Sequence, residues 1–311
     1  MSGKLIISWG PQVLDSRKDH MKYAVQVAAH DDNARRFTWI ATAGWDGKIF
    51  IYCANWSETH FIGEPLDTIG LATNPECIRI TRDKATNDLI LIASRADSTH
   101  LYYYLIEAVS APLTDENRSA YKCRFLGKQN LAPQSNAWVA FSPSCFAISP
   151  LDPGLLAVAT SSLPHMKVMI VRLLIPHLDE VPAAQNADAT HAAQALAELA
   201  TQNREDAAIH VQTSTMAPQT PYSTPQVVWR PDGSGVWVNG DDGVVRGIEA
   251  KTGRIMASLT KGHEPGSKIR SLWAGWVPLD ENGTEKQEWL LSGGFDKKLI
   301  VWKIRDGESK D

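Results

Sequence analysis

An aspartate in a glycine-containing turn, followed six residues later by an aromatic, occurs near both ends of the 311-residue chain, and no other feature narrows its fold as far. Near the start the order is His20, a β-type run Tyr23 to Ala28, a second Thr38 to Ala43, the turn Gly44-Trp45-Asp46-Gly47, and a run Ile49 to Tyr52. Near the end it is Gly262-His263, Lys268 to Ala274, Trp289 to Ser292, the turn Gly293-Gly294-Phe295-Asp296-Lys297, and Leu299 to Ile304, which contains Trp302. Short apolar runs separated by turn residues predict antiparallel strands, and a unit repeated along the chain predicts a stack of small sheets rather than one large core.

Three weaker copies lie between. One runs Val227 to Gly233, Gly235 to Asn239, the turn Asp242-Gly243 and Val244 to Ile248, with Ile248 where the aromatic stands in the better copies. Another has Cys77 to Thr81, Asp88 to Ser94 and Leu101 to Ile106 around a turn holding Asp97. The last has Cys145 to Pro150, Leu155 to Thr160 and Val168 to Leu174, with a turn Ser162-Leu163-Pro164-His165 that lacks aspartate. The copies that miss the aromatic or the aspartate are expected to hold by packing alone.

This order resembles the WD-repeat (WD40) family. The resemblance implies an all-β, WD40-type β-propeller with five recognisable four-stranded blades, a single domain over 1–311; the alternative is part of a seven-bladed propeller. It further implies that His263, Ser292, Asp296 and Trp302 form one hydrogen-bonded chain within a blade, and that His20, Thr42, Asp46 and Tyr52 form another. Buried polar groups need such partners. In this family the turn loops share one face, which would gather Trp45, Asp241, Phe295 and Lys297 as candidate partner-binding residues.

The ends of the chain carry a further expectation. Pro11 to Arg17 aligns with Gly253 to Leu259, the segment after the third strand of a repeat, and Leu5 to Trp9 then takes the third-strand position. The last repeat stops after Trp302-Lys303-Ile304 and continues into a charged tail, 305–311. The N-terminal strand around Val13 is expected to pair there and close a five-bladed ring, because an unpaired edge is a liability. Between Pro176 and Gln219 an alanine-rich stretch centred on Ala192 to Ala200 reads as an edge insertion, 176–219, partly helical or disordered. Its end, Ala208 to Gln212, is placed to return as an outer strand.

Other chemistries find little support. Lysine plus arginine, 31, nearly balance aspartate plus glutamate, 35, so no net field favours nucleic acid or an anionic membrane. The four cysteines form no Cys-x-x-Cys pair and the histidines show no ligand spacing, so no metal is expected. No Gly-x-Ser-x-Gly elbow or phosphate-binding loop occurs, so neither a catalytic set nor a cofactor is expected. Arg35-Arg36-Phe37 is similar to the Phe-Arg-Arg-Gly of phosphoinositide-binding propellers, but the order and the missing glycine point to a solvated turn. Tyr102, Tyr103 and Tyr104 must alternate between two faces of a strand and cannot form one stacking surface. With no signal peptide and no long apolar span, the expected location is cytoplasmic or nuclear. The expected function is a non-catalytic scaffold that joins other proteins in a multiprotein complex. The alternatives are a hydrolase or isomerase with a site in the propeller's central channel, and an adaptor recruited to membranes.

Overall fold

The computed structural model describes residues 4–9, 11–55, 63–114, 116–135, 140–177, 191–280, 282 and 284–304. The first part of the expected insertion, 178–190, and the charged tail, 305–311, lie outside the described residues. The chain divides into two compact units, Met1–Pro143 with Leu174–Asp206, and Ser144–Leu173 with Ala207–Asp311.

The first unit opens with a two-stranded hairpin, β1 (Leu5–Trp9) and β2 (Gln12–Arg17). Two four-stranded antiparallel sheets follow. The first contains β3 (Ala24–Asp32), β4 (Phe37–Gly44), β5 (Lys48–Asn55) and β6 (Asp67–Gly70) in chain order. The second contains β7 (Pro75–Arg82), β8 (Leu89–Arg95), β9 (His100–Glu107) and β10 (Arg124–Asn130), again in chain order. Strands β4, β5 and β8 are apolar along nearly their whole length and buried on both faces, as central strands covered from both sides must be. One face of the first sheet (Trp39, Ala41, Ile49, Ile51) meets the second sheet (Ile78, Leu89, Leu91, Tyr104) in a common core. Its other face (Ile40, Phe50, Tyr52) is covered by Leu5 and Ile7 of the hairpin.

The second unit holds β11 (Pro143–Ile148), β12 (Leu155–Thr160), β13 (His165–Arg172) and β14 (Ile209–Pro218) in one sheet. A second sheet has β15 (Val227–Trp229), β16 (Gly235–Val238), β17 (Val245–Glu249) and β18 (Ile255–Leu259). The last sheet has three strands, β19 (Ile269–Pro278), β20 (Lys286–Gly294) and β21 (Leu299–Ile304). Trp237, Val245, Ile269 and Leu290 form the core between these two sheets. The fold is therefore all-β, with five blade sheets. Its one α-helix among the described residues, α1 (His191–Ala207), buries none of its side chains. It is pinned near its end by Glu205, which accepts the Asn130 N–H at 2.6 Å.

One expectation is corrected. Strand β2 pairs with β1, from Leu5 opposite Arg17 to Trp9 opposite Gln12, and among the described residues the last sheet has three strands. Two residues separate β1 from β2, so this pairing costs far less chain entropy than one reaching across the whole sequence. The end of the alanine-rich stretch returns as an outer strand, as expected: β14 is registered against β13 from Val171 opposite Ile209 to His165 opposite Pro218.

Candidate functional site

Each blade turn is organised around one polar side chain. In the last sheet His263 Nδ1 lies 3.0 Å from Asp296 Oδ2, and its Nε2 lies 2.8 Å from Ser292 Oγ. A carboxylate only accepts, so Nδ1 donates to Asp296, and in the neutral imidazole Nε2 then accepts from the Ser292 hydroxyl; Ser292 Oγ in turn accepts from Trp302 Nε1 at 2.8 Å. In the first sheet His20 Nδ1 meets Asp46 Oδ1 at 3.0 Å and Nε2 meets Thr42 Oγ1 at 2.9 Å. There Tyr52 adds a branch, donating to Asp19 Oδ2 at 3.0 Å, and Asp19 is paired with Arg17. The glycine before each turn aromatic is required by close approach. A Cβ on Gly294 would stand 2.7 Å from His263 Nδ1, and one on Gly44 would stand 2.4 Å from His20 Nδ1.

Ser292, His263 and Asp296 thus share the connectivity of a hydrolytic triad, and burial separates them from one. Ser292 is 1% exposed, and its oxygen is occupied by the Trp302 indole and the imidazole. An attacking oxygen needs room for a substrate beside it. Burial alone would raise the Asp46 carboxyl, but hydrogen bonds from His20 and from the Met21 and Lys48 N–H groups outweigh it and hold it below the ordinary carboxylate value.

The remaining blades do not hold by packing alone. In the second sheet Arg95 Nε donates to the Tyr102 hydroxyl at 2.8 Å, and Ser98 Oγ lies 2.9 Å from the same oxygen. In the sheet whose turn lacks aspartate, Thr160 Oγ1 is 2.9 Å from Ser162 Oγ and donates to the Lys167 carbonyl at 3.0 Å. In the sheet with Ile248, Asn239 accepts from the Gln226 N–H at 2.7 Å and donates to the Ile269 carbonyl at 2.6 Å. Buried strand ends must satisfy their backbone groups, and any residue of suitable reach can do so.

The four residues expected to contact partners fall in different settings. Trp45 and Phe295 occupy the same repeat position, just before the turn aspartate. Trp45 is 48% exposed and meets the Tyr23 ring edge-on at 5.6 Å in the first unit. Phe295 is 64% exposed in the second unit, with the Arg270 guanidinium 4.4 Å from its ring centre. Lys297 is exposed on the same turn, with a φ of 62°. Asp241 is instead committed to its own unit. Lys268 Nζ is 2.8 Å away, and Ser223 Oγ donates to it at 2.5 Å.

Around Phe295 the fold gathers residues that the repeat pattern did not single out. Arg270 donates to Thr224 Oγ1 and to the Tyr222 carbonyl, and Tyr222 stands 83% exposed beside it. The only signal for Arg270 was its place on a half-exposed strand. Arg35 likewise sits in a bidentate pair with Glu107, at 2.6 and 2.7 Å, and also bonds Asp32, so its charge is neutralised within the fold. Tyr102 and Tyr104 face the core shared with the first sheet, whereas Tyr103 points the other way and donates to Gln129 Oε1 at 2.5 Å. No helix among the described residues is long and apolar enough to cross a membrane.

Five small antiparallel sheets with polar ties at their turns define a β-propeller domain. A family model described as UCP007778, beta-propeller domain, matches residues 18–303, and the chain belongs to that family. No curated protein matches the sequence. Among solved structures, a chain of "Crystal Structure of Mitotic Checkpoint Complex" aligns over 98% of this chain and 71% of its own, with a TM-score of 0.56 and 10% identity. "Structure of Dos1 propeller" aligns over 94% of this chain and 62% of its own, with a TM-score of 0.54 and 14% identity. At such identities the likeness is one of fold.

Proposed function

We propose that this propeller is a non-catalytic binding module that docks another protein on the turn surface of its second unit, around Phe295, Arg270 and Tyr222. The observation that carries the reading is the exposed Phe295 ring with Arg270 stacked on it. Aromatic and arginine side chains dominate the binding energy of protein interfaces, because they bury a large area with little flexibility to lose. Arg270 is already held by Thr224 and the Tyr222 carbonyl, so a partner would meet a preorganised group. The one His-Ser-Asp constellation is sealed and serves the blade, which leaves surface recognition as the better use of the fold. A neighbour of the same fold is part of a checkpoint complex, in keeping with a role in assemblies.

The test is affinity capture with quantitative mass spectrometry, comparing wild type with F295A/R270A, both shown by circular dichroism to be folded. The expected result is loss of specific partners from the double variant while W45A, on the other unit, retains them. Equal recovery by a folded F295A/R270A protein removes the surface from consideration.

A further inference from the structure

The turns around Phe295 carry positive charge that nothing in the second unit neutralises. The acids of these turns are each taken by a neighbour. Asp241 Oδ2 lies 2.8 Å from Lys268 Nζ, Asp242 Oδ2 2.6 Å from Arg246 Nη2, Glu264 Oε1 3.2 Å from Lys298 Nζ, and Asp296 Oδ2 3.0 Å from His263 Nδ1. No carboxylate among the described residues pairs with Arg270, or with the exposed Lys297 on the Phe295 turn.

Arg270 also has donors to spare. Its Nη1 donates to Thr224 Oγ1, and Nη1 and Nη2 share the Tyr222 carbonyl at 3.4 Å. Its Nε is buried and has no acceptor. Of the two buried side-chain donors in that state among the described residues, the other is Trp39 Nε1, on a ring that is 0% exposed in the core of the first unit. Arg270 differs in lying 4.4 Å from the centre of a ring that faces solvent. A buried donor without an acceptor is unfavourable, and more so on a cation. Nε and Nη2 lie side by side in the guanidinium plane, spaced to make two parallel hydrogen bonds to one carboxylate. A carboxylate can take this edge with a tilt of the guanidinium, which Thr224 keeps anchored at Nη1.

We propose that the Phe295 surface reads an acidic segment of a partner protein. A glutamate or aspartate side chain lies against Arg270 Nε and Nη2, and an apolar residue beside it packs on the Phe295 and Tyr222 rings. This rests on the docking proposed for that surface and adds the chemistry of the partner. Lys297 supplies a second favourable charge at the rim, and such complementarity selects a partner as well as attracting it. A phosphorylated residue fits less well. The Asp241 carboxylate is bonded to Ser223, the neighbour of Tyr222, and repels a dianion more strongly than a single carboxylate.

The probe is a set of peptide pools with random flanks and one fixed central residue, glutamate, glutamine, lysine or phosphoserine, offered to the labelled full chain. The glutamate pool is expected to retain about tenfold more protein than the glutamine pool, the effect of one charge-assisted pair, with leucine and aromatic residues enriched beside the acid. R270Q, folded by circular dichroism, is expected to lose that ratio, and R270E to favour the lysine pool. The Arg270 Nε–H resonance, assigned by its loss in R270Q, is expected to move downfield when the best glutamate peptide is added. Equal retention on the glutamate and glutamine pools, or none on either, overturns the proposal. So does a preference for phosphoserine, or a glutamate preference that R270Q keeps. A wild-type chain that sediments as a dimer while R270E sediments as a monomer also overturns it, since the acid would then come from a second copy. The docking reading fails separately: if F295A/R270A loses its captured partners while the glutamate and glutamine pools bind equally, the surface stands and only its preference for acid is removed.

Discussion

Glu288, 2% exposed on β20, takes the Arg230 guanidinium at 2.6 Å and so ties the last sheet of the second unit to the sheet before it. The same carboxylate accepts the Trp237 indole N–H at 2.8 Å. Two donors from one blade thus converge on one buried acid of the next, as Arg35 of the first sheet converges on Glu107 of the second in the other unit. The repeat alignment contains neither pair, because each joins different repeats.

Removing that acid should be costly. E288A takes from Arg230 its nearest carboxylate, leaving Asp232 at 3.8 Å, and removes the Trp237 indole acceptor; breaking a buried ion pair from one side destabilises by up to about 3–5 kcal/mol. E288Q keeps an acceptor for the indole and should lose less. Urea denaturation of both variants checks the order; an E288A protein as stable as wild type would show that the pair contributes nothing.

Ser292 should be structural. S292A removes the partner of both His263 and Trp302, and leaving buried groups unsatisfied costs about 1–3 kcal/mol. T42V in the first sheet likewise removes the partner of His20 Nε2 and should cost a similar amount. A fluorophosphonate serine-hydrolase probe should leave the native protein unlabelled. Labelling at Ser292 would mean that the site opens and that the sealed reading is wrong.

Acid should weaken the fold in two stages. Burial, with the Lys128 and Arg95 charges, pushes the His100 imidazole down to about 4 from its ordinary 6.5. Between those values the unfolded chain binds a proton that the folded chain refuses, so this contribution is complete above 6.5 and declines as pH falls toward 4. Asp46 has its carboxyl held below the ordinary 3.8, so its contribution is present above 3.8 and is lost as pH falls below that value. Denaturation midpoints across this range should fall with pH, and H100Q should flatten the upper stage. An unchanged slope in H100Q would exclude His100 as a source.

The cysteines should be slow to react. Burial pushes the Cys53 and Cys123 thiols up to about 12, and Cys77 and Cys145 are buried. Since the thiolate is the reactive form, an aromatic disulfide reagent should titrate the four thiols fully only after unfolding. Rapid native modification of any one would mark a thiol made accessible by local opening.

The strands and turns were legible because they are local. Alternation of apolar residues, the turn aspartates and the six-residue step to Tyr52 and Trp302 are written within single repeats, and the third strand of the last blade was placed on its observed bounds, Leu299–Ile304. Trp45 and Phe295 were legible as exposed turn aromatics for the same reason, through their shared place before the aspartate. Asp241 stands at that place too, yet it is spent on Lys268, a residue of the next repeat that no spacing links to it.

What the sequence determined by itself was the unit: an antiparallel blade with its turn tied by His263, Ser292 and Asp296. The tertiary structure decided what each unit is joined to. It set Glu288 against Arg230, gave Arg95 and Asn239 the polar contacts of their blades, and paired the strand around Val13 with β1. The reason is physical. Side-chain alternation and turn chemistry depend on neighbours within a few residues, whereas partners across sheets depend on which chain closures cost least entropy, and that is written in no single repeat.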